Sequence, residues 1–196
     1  FPDNAIAGIK FNSDGTRAFV LDDRNNSLVE FELSTGYDFS TASLTGNELL
    51  LENNTGVQGF SFYQNGETLL TVGDGNEATT YKLSTGYDIT TAKVDSSTFG
   101  LSTDDIRQGE FIYSGEKLLT LSENREEFEL HRLQEPYNVE NASLIRDNLL
   151  QNQVADRPRD FLFNGDGTKL IVVSRDTNND GNRLFEFNLS TPYDLT

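Results

Sequence analysis

The chain has no cysteine, no methionine, no tryptophan and only 1 histidine in 196 residues. Without cysteine there are no disulfides and no thiolate metal sites, so packing and hydrogen bonding must hold the fold together. One histidine excludes histidine-rich zinc centres and leaves at most one imidazole base for a hydroxyl nucleophile. Basic residues are also scarce: 15 Lys and Arg stand against 32 Asp and Glu, a formal net charge of −17. Nucleic acid and anionic membrane surfaces both require a basic footprint, so neither suits this chain as a partner. No stretch approaches the roughly 18 to 20 apolar residues of a membrane span, and none reads as a signal peptide.

What the chain does contain is a repeat. Leu33-Ser34-Thr35-Gly36-Tyr37-Asp38 returns as Leu83-Ser84-Thr85-Gly86-Tyr87-Asp88, loosely as Leu133-Gln134-Glu135-Pro136-Tyr137-Asn138, and again as Leu189-Ser190-Thr191-Pro192-Tyr193-Asp194. From Leu to Leu the steps are 50, 50 and 56 residues. A period of that size marks a stacked or radial repeat architecture.

Each repeat opens with a short apolar segment and a glycine turn, as in Ile9-Lys10-Phe11 before Asp14-Gly15 and Phe60-Ser61-Phe62 before Asn65-Gly66. Asx-Gly between apolar segments is a hairpin signal. A near-continuous apolar run follows, Ala18-Phe19-Val20-Leu21 in the first copy and Leu170-Ile171-Val172-Val173 in the last, which reads as a strand buried on both faces. A third strand alternates: Val29, Phe31 and Leu33 face one way, Glu30 and Glu32 the other. The repeated hexapeptide then turns the chain, with the Tyr ring able to close over the end of the unit. A weaker fourth segment covers 42–51, 92–101 and 142–150.

Four antiparallel strands in about 50 residues make a propeller blade. The expected fold is all-β, a β-propeller of four blade repeats, either a four-bladed ring or part of a larger one. The whole chain, 1–196, reads as a single domain with repeats at about 6–55, 56–104, 105–155 and 156–196. The fourth repeat lacks its outer strand. The ring therefore closes with a three-stranded blade, or more chain or another subunit completes it.

The segment Phe163-Asn164-Gly165-Asp166-Gly167-Thr168-Lys169-Leu170-Ile171-Val172 and its first-repeat copy Phe11-Asn12-Ser13-Asp14-Gly15-Thr16-Arg17-Ala18-Phe19-Val20 resemble the blade repeats of the broad surface-layer and lactonase-like propeller class. With the closing Leu-Ser-Thr-Pro-Tyr-Asp they look similar to tandem repeats in large secreted or virion-associated proteins of marine bacteria and their phages. The third repeat departs from the pattern, with Gln134-Glu135-Pro136 and a shorter hairpin turn. The resemblance implies blades, and its matched positions are scaffold, so it carries over no catalytic residue.

The hairpin and hexapeptide turns share one face of such a fold and hardly vary among the repeats. The other face holds the variable loops, including Asp22-Asp23-Arg24, Gly73-Asp74-Gly75, Ser122-Glu123-Asn124 and the longer loop after Ser174. There Asp176, Asn178 and Asp180, followed by Gly181, offer oxygens at alternate positions as a calcium loop does; a solvated turn is the plainer reading, and Phe187 stands where a bidentate Glu would be needed. Arg107, Arg157 and Arg159 enter the inner strands near the channel and are placed to clamp an anionic ligand such as a glycan carboxylate or a phosphate, or to pair with nearby carboxylates. Neighbouring carboxylates at Asp22/Asp23 and Asp104/Asp105 are candidates for acid/base work, though exposed pairs are usually just solvated. His131 falls in a slot that is aromatic in the first two repeats, Phe31 and Tyr81, and reads as a half-buried packing residue.

Together these features predict a non-enzymatic propeller module, extracellular, on a cell surface or on a virion. Its partner would be a protein or glycan, or further blades or copies of the same assembly. The alternative is a calcium-dependent hydrolase or lactonase with the cation at the channel mouth.

Overall fold

The structure is a computed structural model that describes residues 6–52, 56–101, 105–151, 153–154, 157–176 and 181–196. The first blade consists of β1 (Ile6–Phe11), β2 (Arg17–Asp22), β3 (Ser27–Leu33) and β4 (Ala42–Leu50). The second holds β5 (Val57–Tyr63), β6 (Thr68–Gly73), β7 (Glu77–Leu83) and β8 (Ala92–Thr98), and the third β9 (Ile106–Ile112), β10 (Lys117–Ser122), β11 (Glu127–Arg132) and β12 (Ser143–Leu149). The fourth has three strands, β13 (Pro158–Phe163), β14 (Lys169–Asp176) and β15 (Gly181–Asn188). Within each sheet neighbours in sequence are neighbours in space and antiparallel. This is the β-propeller expected from the repeats, with three four-stranded blades and one three-stranded blade among the described residues.

The second strands carry apolar runs, interrupted by the buried Thr71 and Thr120, because every blade is covered on both faces where it has neighbours. Phe19, Leu21 and Leu28 of the first blade pack in one cluster with Phe60, Leu69, Tyr81 and Leu83 of the second. Leu70, Val72 and Ala78 meet Ile106, Phe111 and Leu118 of the third blade, and Leu119, Leu121 and Phe128 meet Phe161, Leu170 and Val172 of the fourth. The core is therefore a series of junctions between sheets. Each Leu, Val or Phe enclosed there contributes about 1.5–3 kcal/mol.

The repeated hexapeptide closes each blade. In the second blade Tyr87 sits at φ 62, its N–H donating to the Gly66 carbonyl at 3.0 Å. Its ring lies so close over the hairpin turn that a Cβ at Gly66 would come within 2.4 Å of it, at a φ of 84 that side chains avoid. The same arrangement links Tyr37 to the first turn, where the Tyr37 hydroxyl also donates to the Ser13 carbonyl at 2.9 Å. The final Asp of the hexapeptide starts the next segment: Asp38 Oδ1 accepts the Ser40 N–H at 3.0 Å and caps a 3-10 turn, Phe39–Thr41, and Asp88 does so for Ile89–Thr91.

In β3 alternation is obeyed, and Glu32 is exposed, but Glu30 is buried, within 3.6 Å of Arg17 and accepting from Asn47 at 3.0 Å. Its side of the sheet faces the second blade, not water. A polar residue at an alternating position has to be satisfied internally when both faces are covered.

Candidate functional site

At the end of each blade opposite the glycine and tyrosine turns, the link entering the inner strand meets the loop leaving the second strand. Three equivalent hydrogen bonds hold this rim: Asp74 N–H to Gly56 carbonyl at 3.1 Å, Glu123 to Asp105 at 3.1 Å, and Arg175 to Arg157 at 3.0 Å. The acceptor residues all have left-handed backbones, with φ 65 at Gly56, 62 at Asp105 and 58 at Arg157. For Asp and Arg that conformation is uncommon and is kept only where surrounding contacts enforce it.

A β-bulge follows at the same place in every blade. The pairing of inner and second strands slips by one residue between Ile6 and Gly8, between Val57 and Gly59, between Ile106 and Gln108, and between Pro158 and Asp160. The extra residues are Ala7, Gln58, Arg107 and Arg159. A bulge redirects the side chain it inserts, and here Arg159 reaches across to the rim of the third blade while Arg107 lies between the rim of its own blade and Asp74 of the second.

Those two guanidiniums, with Arg157, converge on Glu123. Arg107 Nε bonds Glu123 Oε2, Arg159 Nη1 reaches the same oxygen at 2.8 Å, and Arg157 Nε lies 3.8 Å from Oε1. Glu123 is almost fully buried by them. Arg107 is surrounded by three carboxylates, because Asp105 Oδ2 also accepts from it at 3.1 Å and Asp74 Oδ1 lies 3.6 Å away. The second Asp105 oxygen, Oδ1, is 3.0 Å from Arg107 Nη2 yet lies off its N–H direction and makes no hydrogen bond, so this contact is Coulombic. Burial pulls the Arg159 guanidinium below its ordinary value, and Arg107, Arg157 and Arg175 add to that against the opposing pull of Glu123. Asp74 moves the other way. Burial, a hydrogen bond with the Asp105 carboxyl and that group's charge push it up to about 6, with Arg107 opposing.

Arg157 and Arg159 keep spare donors. Each guanidinium has five N–H groups, and the contacts to Glu123 use few of them. Arg107 and Arg159 also border a cleft of about 300 Å³ lined by the inner strands, with Gln108 and Asp160 on its wall. Gln108 Nε2 donates to Asp160 Oδ1 at 2.9 Å, crossing from the third blade to the fourth. The blades approach closely here: a Cβ at Gly59 would fall 2.6 Å from the Arg107 carbonyl oxygen. Nearby, burial pushes Glu110 up to about 7, with Lys10 opposing and Asp160 adding to the shift.

The three arginines, read from the sequence as an anion clamp or as partners of nearby carboxylates, are thus brought together, and here they pair with carboxylates. What sequence reasoning missed is their hub, Glu123, which the sequence places only among the loops of the variable face. A signal was present, because Asp23, Asp74 and Glu123 occupy the same position in three repeats. Of the calcium set, Asn178 and Asp180 fall outside the described residues, and so does the side chain of Asp176, whose backbone ends β14. Among the described residues no three His, Asp or Glu side chains converge as a metal site requires. Asp104 is also outside the described residues, while Asp22 is taken up by its own turn, accepting the Arg24 and Asn25 N–H groups at 3.1 and 3.0 Å. His131 is fully buried rather than half-buried, 3.5 Å from Glu129 and 3.4 Å from Thr120. Coverage by the neighbouring blade accounts for the difference.

Blade topology, register and closing turns define the class as a β-propeller. No family model and no curated protein matches the chain. Solved structures do. A candidate 6-phosphogluconolactonase from Bacteroides fragilis is similar over 95% of this chain and 56% of its own, with a TM-score of 0.62 and 10% identity. The periplasmic gluconolactonase of Pseudomonas aeruginosa matches over 96% and 55%, with a TM-score of 0.58 and 11% identity. Kuenenia stuttgartiensis hydrazine synthase matches over 92% and 45%, with a TM-score of 0.57 and 11% identity. At such identities the likeness is one of fold. The chain spans little over half the length of the two lactonase structures.

Proposed function

We propose that this chain is a propeller module that binds an anionic ligand, a carboxylated or phosphorylated sugar, at the arginine-rich rim beside the central cleft. The observation that carries the reading is the convergence of Arg107, Arg157 and Arg159 on one carboxylate, with Arg175 close enough to perturb Arg159. Four guanidiniums in one patch stand out in a chain of net charge −17. Glu123 fills the patch as a ligand carboxylate would, and two of the arginines retain donors for a second anion. The setting would be extracellular, on a cell surface or on a virion, as the blade repeats suggest.

Calorimetric titration with 6-phosphogluconate and with gluconate tests this, comparing the native chain with the Arg157→Ala/Arg159→Ala variant. Losing charge-assisted hydrogen bonds of about 1.5–3 kcal/mol each lowers affinity by 10-fold or more. Equal heats in both proteins, or none in either, would count against the rim as the site.

A second reading is lactone hydrolysis in the same cleft. It is supported by the Asp74 and Asp105 carboxyls beside Arg107, where a group titrating near neutrality suits general acid/base work, and by the names of the two lactonase structures. The calcium expected from the sequence at Asp176, Asn178 and Asp180 belongs to this reading. Turnover of gluconolactone that is lost in Asp74→Asn and in chelator would favour it; turnover no faster than buffer would remove it.

A further inference from the structure

We infer that the uncovered face of the fourth blade is a docking surface for a further blade of the same repeat, one whose inner-strand bulge carries an Asp or Glu. At the junctions already present, equivalent side chains are sealed. Phe19, Leu21 and Leu28, then Leu70, Val72 and Ala78, then Leu119, Leu121 and Phe128 are each 0% exposed beneath the following blade. Register defines their counterparts in the fourth blade, since Leu21 pairs with Leu28, Val72 with Ala78, Leu121 with Phe128, and Val173 with Leu184. There Val173 is 37% exposed and Leu184 74%, and Leu162 beside them on the inner strand is 49% exposed. The polar position on this face repeats the contrast: the Glu30 side chain is 4% exposed and that of Glu186 52%. Apolar side chains built to the same pattern, sealed at three junctions and open on the fourth blade, are an interface without its partner.

The partner's chemistry follows from the junctions. Its face supplies large apolar groups, as Phe60, Leu69 and Tyr81 do for the first junction. Charge narrows it further. Asp74 faces the bulge residue Arg107 of the next blade at 3.6 Å, and Glu123 faces Arg159 at 2.8 Å. At the first junction, where Asp23 stands in that position, the bulge residue is the neutral Gln58; in the fourth blade the corresponding residue is Arg175, so the sign is inverted and an acidic bulge residue is its charge complement. The first blade of a second copy presents Ala7 at that position and leaves Arg175 unanswered. The occupant is therefore a different blade that continues the ring, in keeping with solved propellers of which this chain matches 55 to 56%.

The test extends the 196-residue chain at its end with a copy of its own segment 91–151, which supplies an outer strand and another blade, with Arg107→Glu in the appended copy. Docking raises the melting temperature by roughly 10 °C, more with the Glu than with the original Arg. Leu184→Asp is close to neutral in the original chain and lowers the melting temperature of the extended one by more than roughly 5 °C. An equal effect in both chains overturns the proposal. So does a tight dimer of the 196-residue chain that Leu184→Asp dissociates, because the occupant is then a second copy. If the extended chain does not fold, the original chain decides: it should bind a hydrophobic dye, and Val173→Asp/Leu184→Asp should abolish most of the signal. Unchanged dye binding contradicts an open blade face.

Discussion

Replacing Glu123 by Gln should move stability and ligand affinity in opposite directions. The side chain is 4% exposed and is the counter-charge to Arg107, Arg157 and Arg159. The amide keeps the shape and one acceptor oxygen but deletes the charge. Removing one partner of a buried ion pair costs about 3–5 kcal/mol. Here Arg107 retains Asp105 and Asp74, and Arg157 and Arg159 reach solvent, so screening reduces the loss to about 1–2 kcal/mol. For a chain of this size that is a fall of about 2–8 °C in melting temperature. Affinity for an anion at the rim should rise instead. A carboxylate about 8 Å from a bound anion opposes it by about 2 kcal/mol at an effective dielectric of 20, and physiological salt reduces this to about 1 kcal/mol. The expected gain is roughly 5-fold in 6-phosphogluconate affinity. Thermal melts and calorimetry on the same two proteins measure both effects. If stability and affinity fall together, Glu123 organises the site instead of competing with the ligand, and the reasoning fails.

Gly66→Ala should destabilise the second blade by about 2–4 kcal/mol, since the new Cβ meets the Tyr87 ring at a positive φ; denaturant melts should find Gly66→Ala/Tyr87→Ala less destabilised than the sum of the single variants. Glu110→Gln should stabilise the protein at pH 8 and converge with the native chain near pH 4. Burial raises the Glu110 value in the folded state to about 7 from 4.5, so its contribution is fully present below 4.5 and is lost as pH rises through about 7. A constant difference between the two proteins from pH 4 to 8 would contradict the assignment.

The blades were legible in the sequence because each rests on local chemistry that recurs. Glycine at a positive φ, tyrosine over it and aspartate capping the next turn lie within one repeat, and the four copies reinforce one another. The arginine trio was legible for the same reason, since strand entry puts Arg107 and Arg159 at a definite place in the repeat. The full burial of Glu30 and His131 was not legible because alternation reveals which side of a sheet a residue takes, not what covers that side, and the role of Glu123 was not legible because it lies in a loop. Glu123 is buried by Arg159, 36 residues away in the next blade. The bulge that aims Arg107 and Arg159 also escapes the sequence, since it is visible only as a slip in strand register.

The most direct test of the rim as an anion site is to follow the arginine Nε–H resonances by NMR while titrating 6-phosphogluconate into the native chain. The account predicts saturable shifts for Arg157 and Arg159, with weaker binding as salt is raised. Shifts confined to residues remote from Glu123, or none at all, would contradict it.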